Sequence, residues 1–286
     1  MHCLFCKNDS SNTKSIEHIV PESLGNKTFV LPIGYVCDKC NNYFARKVEK
    51  PFLEQLEMKL LRFQEAIPNK KNKIPMIEGV LNGKYPVKIK RTVCDDNLVS
   101  EILLPPEAFQ EIDFNNSNSN QIVFPAFTNT MEIKCNNVIS RFIAKMALEA
   151  LALRVKDVPN SLEDLVTDKQ FDLIRNHARQ GTTSKWPCHI RRIYDFNKQW
   201  TYEDGKKGEM IHESDFLAIN IDTESITKNS PYISAEIYFI IALWGIEFAI
   251  NMAGPSIESY EVWLKEHDYV SPLYYGKNSK LPYEQL

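Results

Sequence analysis

Two Cys-x-x-Cys pairs, Cys3 with Cys6 and Cys37 with Cys40, stand 30 residues apart and restrict the fold more than any other feature of the chain. Four thiolates from two such knuckles suit one tetrahedral Zn²⁺. In a module of about 50 residues, too small to depend on its own core, that staple contributes folding energy directly. Seven cysteines, an odd number with four in these pairs, point to metal in a reducing compartment rather than to disulfides. Cys94, Cys135 and Cys188 read as ordinary buried thiols.

Between the pairs runs "SIEHIVPESLGN", residues 15–26. A structural metal site needs neither an acid nor a histidine there, so Glu17 and His18 are candidates for chemistry. "IEHIVP" and "TFVLP" are strand candidates, and a helix is expected to begin just after Cys40. Neighbours on a flat strand face opposite sides, so a bend after Ile16 is required if Glu17 and His18 serve one centre. Phe44, Val48, Phe52, Leu56 and Leu60 follow at helical spacing. Pro51 should break that run near Lys50, with a second helix after it.

Cys-x-x-Cys, then "EHIVPESLGN", then Cys-x-x-Cys-Asn opening a helix, resembles the HNH endonucleases of the ββα-metal superfamily, in their four-cysteine, zinc-containing branch. The resemblance covers residues 1–50. It implies a structural zinc on Cys3, Cys6, Cys37 and Cys40, His18 as general base, and Glu17 with Asn41 holding a catalytic cation. Hard oxygen ligands favour Mg²⁺ or Mn²⁺ there. The implied reaction is phosphodiester hydrolysis in DNA, with RNA as the other substrate, and such nucleases often serve in bacterial restriction or anti-phage defence. Two departures stand out. Glu17 replaces the Asp of many members, and "VLPIGYVC" lacks the family's middle Asn, leaving Asn26 or a backbone carbonyl to orient His18. Glu49, two turns beyond Asn42, reads as a solvated or cap-bonding carboxylate, with completion of the metal or anchoring of the helix as the alternative. The rival to catalysis is a non-catalytic zinc module that binds nucleic acid or a partner protein.

Residues 75–286 of the 286 resemble no family. "IPNKKNKIP" marks a boundary between an HNH module at 1–67 and an α+β domain at 68–286 for substrate, partner or trigger. Hydrophobic content of 43% supports a real core, and a net charge of −3 gives no global attraction for nucleic acid, so any basic surface must be local. Residues 68–91 hold seven Lys/Arg against one acid, with Lys88, Lys90 and Arg91 on a strand candidate. Residues 175–192 add Arg179, Lys185, Arg191 and Arg192. Both stretches are candidate phosphate contacts. Further strands are expected at "LVSEILLP", "QIVFPAF", "CHIRRIYDF" and "DFLAINI", a loop at "NNSNSNQ", and helices at 136–155 and 161–179, the latter capped by Ser161. The apolar run 238–254 is short for a membrane span and contains Glu247, so it reads as paired buried strands. No membrane partner and a cytoplasmic address are expected, with no signal peptide; a homo-oligomer remains compatible. His2 belongs to the terminus and carries no role, while His177, His189, His212 and His267 lack metal-ligand spacing and read as structural.

Overall fold

The computed structural model describes residues 1–95, 97–110, 112, 120–181, 185–201, 205–220 and 235–275. In chain order the helices are α1 Asp38–Phe44, α2 Lys50–Leu53, α3 Leu56–Gln64, α4 Asn137–Arg154, α5 Ser161–Thr167, α6 Asp172–Gln180 and α7 Glu258–Glu266. The strands are β1 Ile77–Leu81, β2 Tyr85–Cys94, β3 Asn97–Leu103, β4 Ile122–Val123, β5 His189–Arg192, β6 Gln199–Thr201, β7 Lys207–Glu209, β8 His212–Asn220, β9 Ala235–Leu243 and β10 Ile246–Asn251. This is the expected α+β mixture. The elements fall into two compact units, Met1–Val20 with Asn26–Phe52 and Glu132–Leu286, and Pro21–Gly25 with Leu53–Met131. They divide the chain elsewhere than at residue 67.

In the first unit, α4 supplies the central helix. Asn136 opens it by accepting from the backbone N–H of Val138 and Ile139 at 2.9 and 3.0 Å. Its buried face includes Phe142, stacked on Phe52 at 4.0 Å between centroids. Beside it lies an antiparallel sheet of order β5-β10-β9-β8, with β6 and β7 forming a separate ribbon. The 238–254 run is indeed paired buried strands. Trp244 and Gly245, at φ 50° and 79°, make the two-residue turn between β9 and β10. A Cβ at Gly245 would lie 2.1 Å from the Tyr194 carbonyl oxygen, so only glycine fits there. Among the described residues no helix is long and apolar enough to cross a membrane.

Several expectations need correcting. α1 begins at Asp38, ahead of Cys40, because Cys37 Sγ accepts from Cys40 N–H and caps the first turn. Helix continues through a π-turn at Ala45–Glu49 into α2, and the break follows Leu53 instead of Lys50. Pro51 lacks an N–H and crowds the preceding turn, and the wider π-turn ahead of it absorbs that conflict. The expected helix over 161–179 is two helices, parted at Asp168, whose side chain accepts from Gln170 N–H. Its N-cap is Asn160 at φ 63°, with Ser161 the first helical residue. Cys135 and Cys188 are disulfide-bonded with Cα atoms 5.9 Å apart, and Cys94 is exposed. Each of the bonded pair lies just before an element of the first unit (α4 and β5), a proximity that residue spacing does not convey.

The second unit is an antiparallel sheet of order β3-β2-β1-β4. Strand β1 alternates buried and exposed residues, and with Val87 and Ala108 its Leu81 forms a small core. β1 was not anticipated, and "QIVFPAF" contributes only Ile122–Val123. Residues 67–75 lie inside this unit as a turn, in which Asn69 Oδ1 accepts from the N–H of Lys71 and Lys73. The loop expected at 115–121 lies, apart from 120 and 121, outside the described residues.

Candidate metal centre and the Glu17–His18 strip

Cys3, Cys6, Cys37 and Cys40 converge, with all four Sγ atoms within 4.8 Å of one another. Sulfurs around a tetrahedral zinc lie about 3.8 Å apart, given Zn–S bonds of about 2.3 Å, so the set fits such an ion with little adjustment. The first knuckle turns through Lys7 at φ 59°, closed by Lys7 N–H to the Cys3 carbonyl at 2.9 Å. The second is the start of α1 itself. Cys37 N–H donates to Cys3 Sγ at 3.3 Å, which joins the knuckles. Arg175 of α6, almost fully buried, donates to the Leu4 carbonyl at 2.8 Å and the Leu165 carbonyl at 2.7 Å, holding the first knuckle to the body of the unit.

The strip that carries Glu17 and His18 is stitched on both sides. Asp38, in the first turn of α1, accepts from Ser15 N–H at 2.9 Å and from the Ser15 hydroxyl. Those bonds hold the Asp38 carboxyl below its ordinary pKa. One turn on, Asn41 Nδ2 donates to the Ile16 carbonyl at 3.1 Å. Across the strip, Leu31 N–H meets the Glu17 carbonyl at 2.9 Å and Ile19 N–H the Phe29 carbonyl at 3.1 Å. The two expected strands reduce to this single bridge, His18 to Val30, because Pro21 and Pro32 provide no N–H to extend it. Asn26 is buried and fixes the loop between: its Nδ2 donates to the carbonyls of Val20 and Phe29, and its Oδ1 accepts from the N–H of Thr28 and Phe29. His212 Nε2 lies 3.3 Å from Asn26 Oδ1 and its ring stacks on Phe29.

Glu17 turns inward, 6% exposed, while Ile16 is half exposed and His18 sits between these extremes. The Glu17 carboxylate meets a group that sequence reasoning missed. Lys145 of α4, fully buried, places Nζ 2.7 Å from Glu17, 3.0 Å from Glu49 and 2.9 Å from Glu149. The same ammonium donates to the His18 carbonyl at 3.3 Å. Burial alone would strip its proton, but Glu149, Glu17 and Glu49 together hold its pKa well above the ordinary lysine value. Burial raises the Glu149 carboxyl well above its usual range, against the pull of the Lys145 ammonium beside it. Glu49 is therefore neither solvated nor a cap. It anchors the π-turn to α4. The signal for the Lys145–Glu149 pair alone was present in "FIAKMALEALAL": they are the two charges, four residues apart, in an otherwise apolar run.

Four of the seven basic residues expected at phosphate have other engagements. Arg191 pairs with buried Glu247 at 2.5 Å and donates to the Tyr269 carbonyl at 2.6 Å. Arg192 reaches the carbonyls of Tyr194 and Trp244 at 3.4 Å. Arg91 donates to the Phe63 and Gln64 carbonyls, closing the end of α3, and Lys90 pairs with Glu101 across β2 and β3. Trp186 is buried, with Nε1 donating to the Asn251 carbonyl at 3.0 Å, so it offers no stacking platform. Lys88 and Lys185 are exposed and Arg179 partly so. His2, expected to carry no role, pairs with Glu163 at 2.7 Å, and His177 contacts the Ser140 hydroxyl and stacks on Trp186.

Residues 3–57 match a family model described as HNH endonuclease. No curated protein and no solved structure matches the chain. The match spans both knuckles, the Glu17–His18 strip and α1, and over these residues the chain carries an HNH endonuclease segment with four cysteines positioned for a metal.

Proposed function

We propose that the chain is a metal-dependent endonuclease that hydrolyses phosphodiester bonds of DNA, with His18 as the general base. The observation that carries this reading is the strip itself: the residues leading to His18 are held to α1 by the Asp38 and Asn41 side chains, His18 makes a strand bridge to Val30, and the four clustered cysteines lie apart from it in role. A neutral imidazole near pH 7 can accept the proton of an attacking water. The four cysteines would hold zinc as a structural ion. A divalent cation, Mg²⁺ or Mn²⁺, would be held by the Asn41 amide oxygen and by the Glu17 carboxylate, which Lys145 already orients; when bound it supplies positive charge for the phosphate. Few protein ligands suit Mg²⁺, which keeps several of its waters. Asn26 supports the loop around His18 in place of the absent middle Asn. Lys88, Lys185 and Arg179 remain for phosphate contact, while Lys90, Arg91, Arg191 and Arg192 serve the chain's own packing. A cytoplasmic address and a role in restriction or anti-phage defence go with this reading.

One observation favours the rival, a non-catalytic zinc module: Glu17 is buried and paired with Lys145. Supercoiled plasmid incubated with protein at graded Mg²⁺ or Mn²⁺ separates the two. The nuclease reading expects cation-dependent nicking, with Glu17→Ala and Asn41→Ala raising the cation concentration required. Absence of cleavage at every cation concentration, with DNA still bound, would favour the rival.

A further inference from the structure

Arg62, on α3 in the second unit, is a buried cation whose neighbours do not answer its charge. It is 7% exposed, and among the described residues its Nε has no hydrogen-bond partner. Burial lowers its pKa, and no acid offsets that shift. Lys145, Arg175 and Arg191 in the first unit all meet carboxylates. A buried guanidinium left this way is costly unless something anionic visits it.

The surroundings of Arg62 provide room for such a visitor. It lines a cavity of about 560 Å³, together with Lys59, Lys73 and Lys88 and the acids Glu54 and Glu78. Lys59 precedes Arg62 by three residues and shares its helix face. Lys73 comes from the turn that Asn69 fixes, and Lys88 from β2, opposite Glu78 in the strand register. Four cations against two acids leave an excess of positive charge, and Ile74, Pro75 and Ile77 supply an apolar wall. The volume is that of an ordinary small-ligand pocket. Guanidinium groups bind phosphate with paired, charge-assisted hydrogen bonds, which carboxylate-poor surroundings strengthen.

We propose that this cavity binds a small phosphate ester of mononucleotide size, its phosphate on Arg62 with Lys59, Lys73 and Lys88 and its less polar part against Ile74 and Pro75. A nucleic-acid strand presents the same phosphate chemistry, but its backbone follows surface lysines rather than a guanidinium that is 7% exposed. Of the basic run 68–91, Lys73 and Lys88 thus serve a pocket, independently of the chemistry assigned to His18.

The test titrates the full chain and its His18→Ala variant with adenosine monophosphate, inorganic pyrophosphate and a short oligothymidylate, followed by calorimetry and thermal unfolding. Both proteins should bind adenosine monophosphate and unfold at higher temperature with it. Arg62→Met should unfold without ligand at the wild-type temperature or above, since it removes an unpaired buried charge, yet bind roughly tenfold or more weakly. Lys73→Gln with Lys88→Gln, both on the exposed rim, should weaken binding without changing the ligand-free unfolding temperature. The proposal is overturned if neither small probe binds at millimolar concentration, or if Arg62→Met lowers the ligand-free unfolding temperature while leaving affinity unchanged. Arg62-dependent binding of oligothymidylate without binding of adenosine monophosphate would also overturn it.

Discussion

At the scale of single residues, Lys145 decides the electrostatics beneath the strip. One ammonium meets three carboxyl groups and the His18 carbonyl, so removing it leaves buried Glu17 and half-buried Glu49 without their cation. We expect Lys145→Met to cost about 3–5 kcal/mol in urea unfolding, with part recovered in Lys145→Met with Glu149→Leu, which also removes an acid. Wild-type stability of the single variant would show that water already neutralises the cluster. The residues that carry this arrangement were unevenly legible. Glu17, His18 and the four cysteines stand close together in sequence, and their types alone mark them. Lys145 lies 127 residues from His18, and nothing in its local pattern says which acids it will meet. The same limit applied to Arg191, whose position in a basic run suggested phosphate. Its neighbour across the sheet, Glu247, belongs to a strand 56 residues later.

At the scale of elements, the knuckles and the β9–β10 hairpin carry the first unit. Protein purified without added zinc should contain about one equivalent by metal analysis, and Cys37→Ser should lose both the metal and thermal stability. A metal-free chain that keeps its unfolding temperature would remove the staple from the account. Arg191→Glu sets a carboxylate beside buried Glu247, and we expect it to cost about 3–5 kcal/mol, read by urea unfolding. Unchanged stability would instead return Arg191 to the surface role its sequence suggested. Element positions were legible where periodicity was strong: α4 and the paired strands of the 238–254 run emerged close to their expected places. They were not legible where side chains replaced backbone pairing. The strip at 15–31 is held by Asp38, Asn41 and Asn26, so strand propensity described only one bridge. Pro51 marked a conflict in the helix, but not its resolution by a π-turn, whose last residue, Glu49, pairs with distant Lys145.

At the scale of the whole molecule, acid should weaken the fold. Burial depresses the imidazole pKa values of His177 and His212 from 6.5 to about 4, and burial lowers His189 as well. Between about pH 6.5 and 4 the unfolded chain binds protons at these sites that the native chain refuses, so stability falls as pH falls. Glu149, raised by burial, opposes them with a single proton, and three imidazoles outweigh one carboxyl. Unfolding temperature should therefore drop from neutral pH to about pH 5, and His212→Gln should flatten the slope by about one proton. A pH-independent unfolding temperature over that range would contradict the burial of these rings. The central claim concerns catalysis by the strip, and cleavage of supercoiled plasmid by His18→Ala against wild type, at saturating Mg²⁺, tests it most directly. We expect the variant to bind DNA and fold as wild type does while cutting roughly 10²–10⁴ times more slowly, the share usual for a general base; cleavage at the wild-type rate, with contaminating nuclease excluded, would contradict the account.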